Sequence, residues 1–248
     1  MVGASASAGF TVSEMLGGTN TPFFRLSRYV DAALSAPHEA VLNLAHAMFY
    51  LQPEGAGRIQ IEEAVASQPT LVIGIDFLFW FCYGEGSTDT ARLRRFEKGL
   101  KLLEAIPGPL VLGDLPDASA AVDGILSADQ LPSNKAMTAA NRRLKEWAAT
   151  RPQVAIVSLS GFMRAVSANQ SLTIHGQAIP AGQTRALLQN DKLHPSPTGA
   201  AVLALAILDT FLKSQPAVLA NDVRWNSKEV YRLGHHSPRK PGTSFQQP

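Results

Sequence analysis

The sequence holds a single cysteine, Cys82, in 248 residues, so no disulfide can form within the chain. Charge is also scarce: 17% of residues are charged against 46% hydrophobic, which excludes a disordered or heavily solvated chain. The charge that is present nearly cancels, with 22 basic and 20 acidic side chains and a net charge of +2. A nucleic-acid-binding domain normally carries a larger basic surplus, so no nucleic-acid partner is expected. No apolar run reaches the ~18 residues that span a bilayer. The two best candidates, residues 71–83 and 200–212, each contain an aspartate, Asp76 and Asp209, so no transmembrane segment is expected. No basic-then-apolar leader is expected at the N-terminus, but only Met1 and Val2 precede a Gly-Ala-Ser turn. A first strand there would be clipped, which leaves the compartment open. The six histidines show no metal-ligand spacing such as His-Glu-x-x-His, so neither a metal nor a cofactor is expected.

What is present is an alternation of apolar runs and helical patterns. The runs His38–Ala45, Thr70–Phe79, Pro109–Leu115 and Gln153–Leu159 are nearly continuous in apolar residues. Central parallel strands, covered on both faces, read this way. Helical stretches lie between them at Phe23–Leu34, Arg58–Ala66, Ala91–Ala105 and Ser133–Thr150, and a last one opens at Ser196, Pro197 and Thr198 and runs to about Lys213. In the third, Leu93, Phe96, Leu100 and Leu103 make one apolar stripe; Arg92, Arg94, Arg95 and Lys98 are expected to form its solvated face. Ser196 followed by Pro197 is a cap residue followed by proline at the first helical position. Such an alternation predicts an α/β fold with a parallel sheet covered on both faces. Residues 1–214 read as one domain, followed by a C-terminal extension, 215–248, expected to be disordered from about 235. Residues 171–182 fit either a small hairpin or an extended loop.

In open parallel sheets, ligands sit outside the carboxyl ends of the strands. Near the chain end, Asp191 stands three residues before His194 in a loop broken by Pro195. A carboxylate there can accept from one ring nitrogen and leave the other free to take a proton from a hydroxyl. Ser5, between small neighbours, suits a tight turn that exposes its hydroxyl; Ser7 is its rival. This is not the Gly-x-Ser-x-Gly elbow, because Ser7 stands two residues after Ser5. His46 and Asp114 are further candidates to line a cleft, while His38 and His175 read as surface residues. Cys82 reads as inert filler with no local base. The aromatic run Phe77, Phe79, Trp80, Phe81 and Tyr83 either lines an acyl pocket or packs beneath the helices.

Together, the Gly-x-Ser turn, the Asn-containing segment after the second strand, Gly74-Ile75-Asp76 in the third, and the block Asp191-Lys192-Leu193-His194-Pro195-Ser196-Pro197-Thr198-Gly199 resemble the SGNH hydrolases, also called GDSL-like lipases and esterases. The resemblance covers residues 1 to about 214. It implies a three-layer αβα fold around a central parallel five-stranded sheet of flavodoxin-like type, and metal-free hydrolysis of esters. It also implies that Ser5 is the nucleophile, His194 the general base and acid, and Asp191 the residue orienting His194.

Two departures stand out. Ala4 replaces the family's Asp before the nucleophile. The family's oxyanion hole combines the nucleophile's N–H, a glycine N–H that falls near Ala47 or Met48 here, and an Asn side chain whose position is taken by Asp76. An ionised Asp only accepts hydrogen bonds and would repel an oxyanion. The readings left open are a protonated Asp76 that donates, an Asp76 turned onto backbone amides near Ser5, Asn43 as the amide donor, or a fold that kept the Ser–His pair with little activity. The expected function is a serine hydrolase acting on a small-molecule carboxylic ester, short to medium acyl or acetyl, through an acyl-enzyme. The alternatives are an acyl transferase or carbohydrate O-deacetylase, or a catalytically weak binding protein. Oligomeric state is not legible in the sequence.

Overall fold

The structure is a computed structural model and describes residues 1–84, 88–215 and 220–236. Three short parallel strands lie side by side at its centre: β1 (Val72–Gly74), β2 (Leu110–Gly113) and β3 (Val154–Val157). Val111 sits beside Ile73 on one side and Ala155 on the other. Alternate strand residues enter two different cores, which explains the continuous apolar runs. Val72, Leu110 and Leu112 pack with α3 (Pro53–Ala66), α5 (Asp89–Leu103) and α6 (Asn134–Ala149). Ile73, Val111, Ala155 and Val157 pack with α2 (Leu26–Ala33), α8 (Pro197–Ser214) and α9 (Ser227–His236). The sheet therefore lies between two helical layers.

The expected sheet of five strands has three among the described residues. The two segments expected to supply the others do run alongside. Val2 N–H donates to Ile73 O at 2.9 Å, Leu44 N–H to Met1 O at 2.8 Å and His46 N–H to Gly3 O at 3.2 Å. Neither segment becomes a strand. The first turns away at Gly3, where φ is +143°, straight into α1 (Ser5–Ala8). The second lies at the margin, with Leu42 exposed and a partner on one side only.

The expected strand over residues 70–79 also ends early. It stops at Gly74, and Phe79–Cys82 forms a helical turn, α4. An extended run would send alternate rings to opposite faces of the sheet. The turn instead puts Phe77 and Phe81 four residues apart on one side, with ring centroids 5.5 and 6.0 Å from Phe49. Cys82 is fully buried among them, and burial pushes its thiol up to about 12.

The basic face expected on α5 is solvated only in part. Arg92 is buried, and its guanidinium donates to the carbonyls of Cys82 and Gln130 at 3.0 Å and of Asp129 at 2.6 Å. It ties the end of α4 to the loop before α6. Lys98, by contrast, makes an exposed ion pair with Glu54.

Residues 171–182 contain an antiparallel hairpin of β4 (Leu172–Ile174) and β5 (Gln177–Ile179). His175, at its turn, stacks on Trp225 with centroids 3.6 Å apart and bonds Asp209 at 3.1 Å. Helix α9, in the expected extension, packs on α2 and α8, and Arg28 Nε donates to Gly234 O. The tail expected beyond it lies outside the described residues. By length and composition α8 could cross a bilayer, although no such segment is expected from the aspartate it carries. Here it is a core helix, with Ala200, Ala204 and Ile207 wholly buried.

Candidate active site

The first element of the site is α1, a single turn that begins at Ser5. The N–H groups of Ser5 and Ala6 open this turn and meet no partner among the described residues, as expected of the first donors of a helix. The turn has no side-chain cap of its own, since Ala4 precedes it. The cap arrives from β1's end. Asp76 accepts from Ser7 N–H at 3.0 Å and from Ser7 Oγ at 2.6 Å. Gly3 makes room for this, because a Cβ there would lie 2.1 Å from Asp76 Oδ1. Gln60 grips the same residue through both backbone groups, accepting from Gly3 N–H at 2.7 Å and donating to Gly3 O at 3.0 Å.

The second element is the loop ahead of α8. Ser196 caps α8 through Gly199 N–H at 3.1 Å and donates its hydroxyl to Ala186 O at 2.7 Å. Leu188 and Pro195 pair across the loop's base, and Gln189 N–H donates to His194 O at 2.8 Å. The Gln189 side chain then bridges the two elements, donating to Phe10 O at 2.8 Å and Pro195 O at 3.0 Å. Within the loop, Asp191 Oδ1 accepts from the N–H groups of Leu193 and His194, both at 3.0 Å.

These supports place Ser5, His194 and Asp191 in one line. Ser5 Oγ lies 2.8 Å from His194 Nε2, and His194 Nδ1 lies 2.8 Å from Asp191 Oδ2. A carboxylate partner keeps the proton on Nδ1, so Nε2 presents its lone pair to the serine hydroxyl. The His194 and Asp191 side chains are each 4% exposed, and the Phe10 ring lies against the imidazole at 4.4 Å. Burial raises the Asp191 carboxyl, but the hydrogen bond and charge of His194, with the two backbone N–H groups, outweigh it and hold the carboxyl below its usual value.

Ser5 and His194 face a cleft of about 70 Å³. Its walls are largely apolar: Phe79 and Trp80 from α4, Leu159, Phe162 and Met163 from α7 (Leu159–Ser167), and Leu203 from α8. Of the aromatic run, only these two rings reach the cleft; Phe77, Phe81 and Tyr83 pack under the helices. Asp76 and Asp114 also line it, but both aspartates are engaged. Asp114 accepts from Ser160 N–H at 2.7 Å and Ser160 Oγ at 2.6 Å.

The remaining candidates are either engaged or away from the cleft. Both oxygens of Asp76 accept from Ser7, so this side chain is turned onto α1, which carries Ser5, and not presented as an amide-like donor. Met48 N–H donates to His46 Nδ1 at 3.1 Å, where His46 caps a 3-10 turn over Ala47–Leu51. Ala47, Met48, His46 and Asn43 are not among the residues that line the cleft. Ser7, the rival candidate, is buried and gives its hydroxyl to Asp76, and among the described residues it bonds no imidazole. The α7 wall is not among the elements expected from the sequence, where Leu159 ends the strand run 153–159; β3 instead stops at Val157, and Leu159, Phe162 and Met163 follow it at helical spacing.

No family model and no curated protein sequence matches the chain. Its fold is similar to that of a solved structure described as a lipase/acylhydrolase from Enterococcus faecalis, with a TM-score of 0.56 over 91% of this chain and 97% of the other. At 16% identity this likeness shows a shared α/β architecture.

Proposed function

We propose that the protein is a serine hydrolase that cleaves carboxylic esters of short to medium acyl groups through an acyl-enzyme. The observation that carries this reading is the unbroken hydrogen-bonded line Ser5–His194–Asp191, opening on an apolar cleft. The likeness in fold to a lipase/acylhydrolase supports it at the level of ester hydrolysis, as does the resemblance of the Asp191–Gly199 block to the SGNH hydrolases.

In this mechanism Ser5 Oγ forms a bond to the ester carbonyl carbon as its proton passes to His194 Nε2. The buried Asp191 carboxylate stabilises the imidazolium. His194 then gives the proton to the alcohol oxygen as the C–O bond breaks, leaving acyl-Ser5. A water repeats the sequence and releases the acid. The oxyanion is received by the opening N–H groups of α1. With position 76 held as an acceptor, no side-chain amide among the described residues that line the cleft assists them, a deficit of about 2.7–4 kcal/mol of transition-state stabilisation against a site that has one. That deficit is what favours the competing reading of a catalytically weak binding protein.

Turnover of nitrophenyl acetate and butyrate separates the two. The wild type should hydrolyse both esters, and Ser5→Ala and His194→Ala should each lose at least about 10⁴-fold in kcat with unchanged circular dichroism. A folded wild type without turnover refutes the enzyme reading.

A further inference from the structure

We propose that Asp76 and Asp114 are a matched pair of positioning residues. Asp76 fixes the turn that carries the nucleophile, and Asp114 fixes the helix that walls the acyl slot and so sets acyl-chain preference. The proposal rests on the ester-hydrolase reading of the same site.

The two aspartates stand at equivalent places, one just past the end of β1 and the other just past the end of β2. Each is nearly buried, at 8% and 6% exposure, and each lines the cleft. Each also grips a serine in the first turn of a cleft-lining helix by the same two-point contact. Asp76 holds Ser7 of α1 through N–H at 3.0 Å and Oγ at 2.6 Å. Asp114 holds Ser160 of α7 through N–H at 2.7 Å and Oγ at 2.6 Å. A buried carboxylate taking a helix's orphan donors anchors that helix end in angle and depth.

What the two helices carry differs. Helix α1 brings Ser5 and the opening N–H groups, so a loosened Asp76 clamp displaces the attacking oxygen and the oxyanion donors together. Such a loss falls on kcat whatever the acyl group, because the affected interactions belong to the transition state. Helix α7 brings Leu159, Phe162 and Met163, which touch the acyl chain and not the reacting atoms. A loosened Asp114 clamp therefore changes the room available to methylenes. Each methylene in an apolar pocket is worth a factor of ten or more in kcat/KM.

The test uses the full chain and nitrophenyl acetate, butyrate and octanoate, with thermal unfolding run beside each variant. Asp76→Ala should lower kcat by at least about tenfold on all three esters, with KM within about twofold. Asp76→Asn, whose amide can still accept from Ser7 N–H and donate to Ser7 Oγ, should recover most of that loss. Asp114→Ala and Ser160→Ala should change the octanoate-to-acetate ratio of kcat/KM by at least about fivefold, and Asp114→Asn should return it toward the wild-type value. If the folded alanine variants all lose activity evenly across the three esters in proportion to lost stability, the clamps are only structural and the proposal falls. Should Asp76→Ala and Asp114→Ala fail to fold, Asp76→Asn matching the wild-type kcat together with a folded Ser160→Ala shifting the chain-length ratio supports the proposal, and an unshifted ratio overturns it. A wild type inert toward all three esters removes the hydrolase reading itself, an outcome distinct from active wild type with indifferent variants.

Discussion

Asp191 is shielded from solvent, yet its carboxyl titrates below its ordinary range because His194 and two backbone N–H groups favour the charged form against the opposing effect of burial. A carboxyl whose folded value is depressed contributes stability that is whole above its unfolded value, about 3.9, and is lost as pH falls through the folded value. Asp191→Asn should therefore be less stable than wild type in denaturant titrations near neutral pH, and the gap should narrow as pH falls below the unfolded carboxyl value of about 3.9. A gap independent of pH would contradict this account. The same variant should lose roughly 10³–10⁴-fold in kcat, since the amide cannot stabilise an imidazolium and favours the wrong tautomer. Cys82 illustrates the opposite environment: with its thiol raised to about 12 by burial, the native protein should resist alkylation by iodoacetamide near neutral pH and react once unfolded. Modification of the native protein at a rate like that of free cysteine would show that this core opens.

At the scale of elements, the His194 loop is held by the close approach of α8 to the backbone at Leu187. A Cβ on Gly199 would lie 1.8 Å from Leu187 O, closer than any rearrangement of side chains can relieve. Gly199→Ala should thus cost about 3 kcal/mol in chemical denaturation and lower kcat by displacing the 188–195 loop; a variant as stable as wild type would show that the helix start moves freely. This element was legible in advance, because Ser196-Pro197 is a local signal for a helix start, and so was Asp191 beside His194, a contact three residues long. The apolar stripe of α5 was equally plain. Signals failed where a distant contact decided the outcome. Asp76 takes its role from Ser7, 69 positions away. Arg92 is buried because carbonyls of residues 82, 129 and 130 surround it, which no helical periodicity reveals. The aromatic run of 77–83 carries strand-forming residues, yet packing against Phe49 favours a helical turn. The two further strands, one expected from the apolar run 38–45 and the other implied by the resemblance, give way to an early turn at Gly3 and to an exposed sheet margin.

Across the whole molecule, the fold brings together groups 189 positions apart in the chain. Parallel strands deliver their carboxyl ends to one edge of the sheet, and the site forms there: α1 after the segment that runs beside β1, the aspartates past β1 and β2, α7 after β3, and the loop before α8. The two cores pack against the sheet from both faces, and Gln189 bridges the site's first and last contributors. The central claim is that this assembly turns Ser5 into a nucleophile. It is tested most directly by treating the native protein with a fluorophosphonate and locating the adduct by peptide mass spectrometry. The account predicts a single phosphonyl group on Ser5, formed with loss of fluoride and absent in His194→Ala. An unmodified protein, or an adduct on Ser7 with Ser5 untouched, would contradict it.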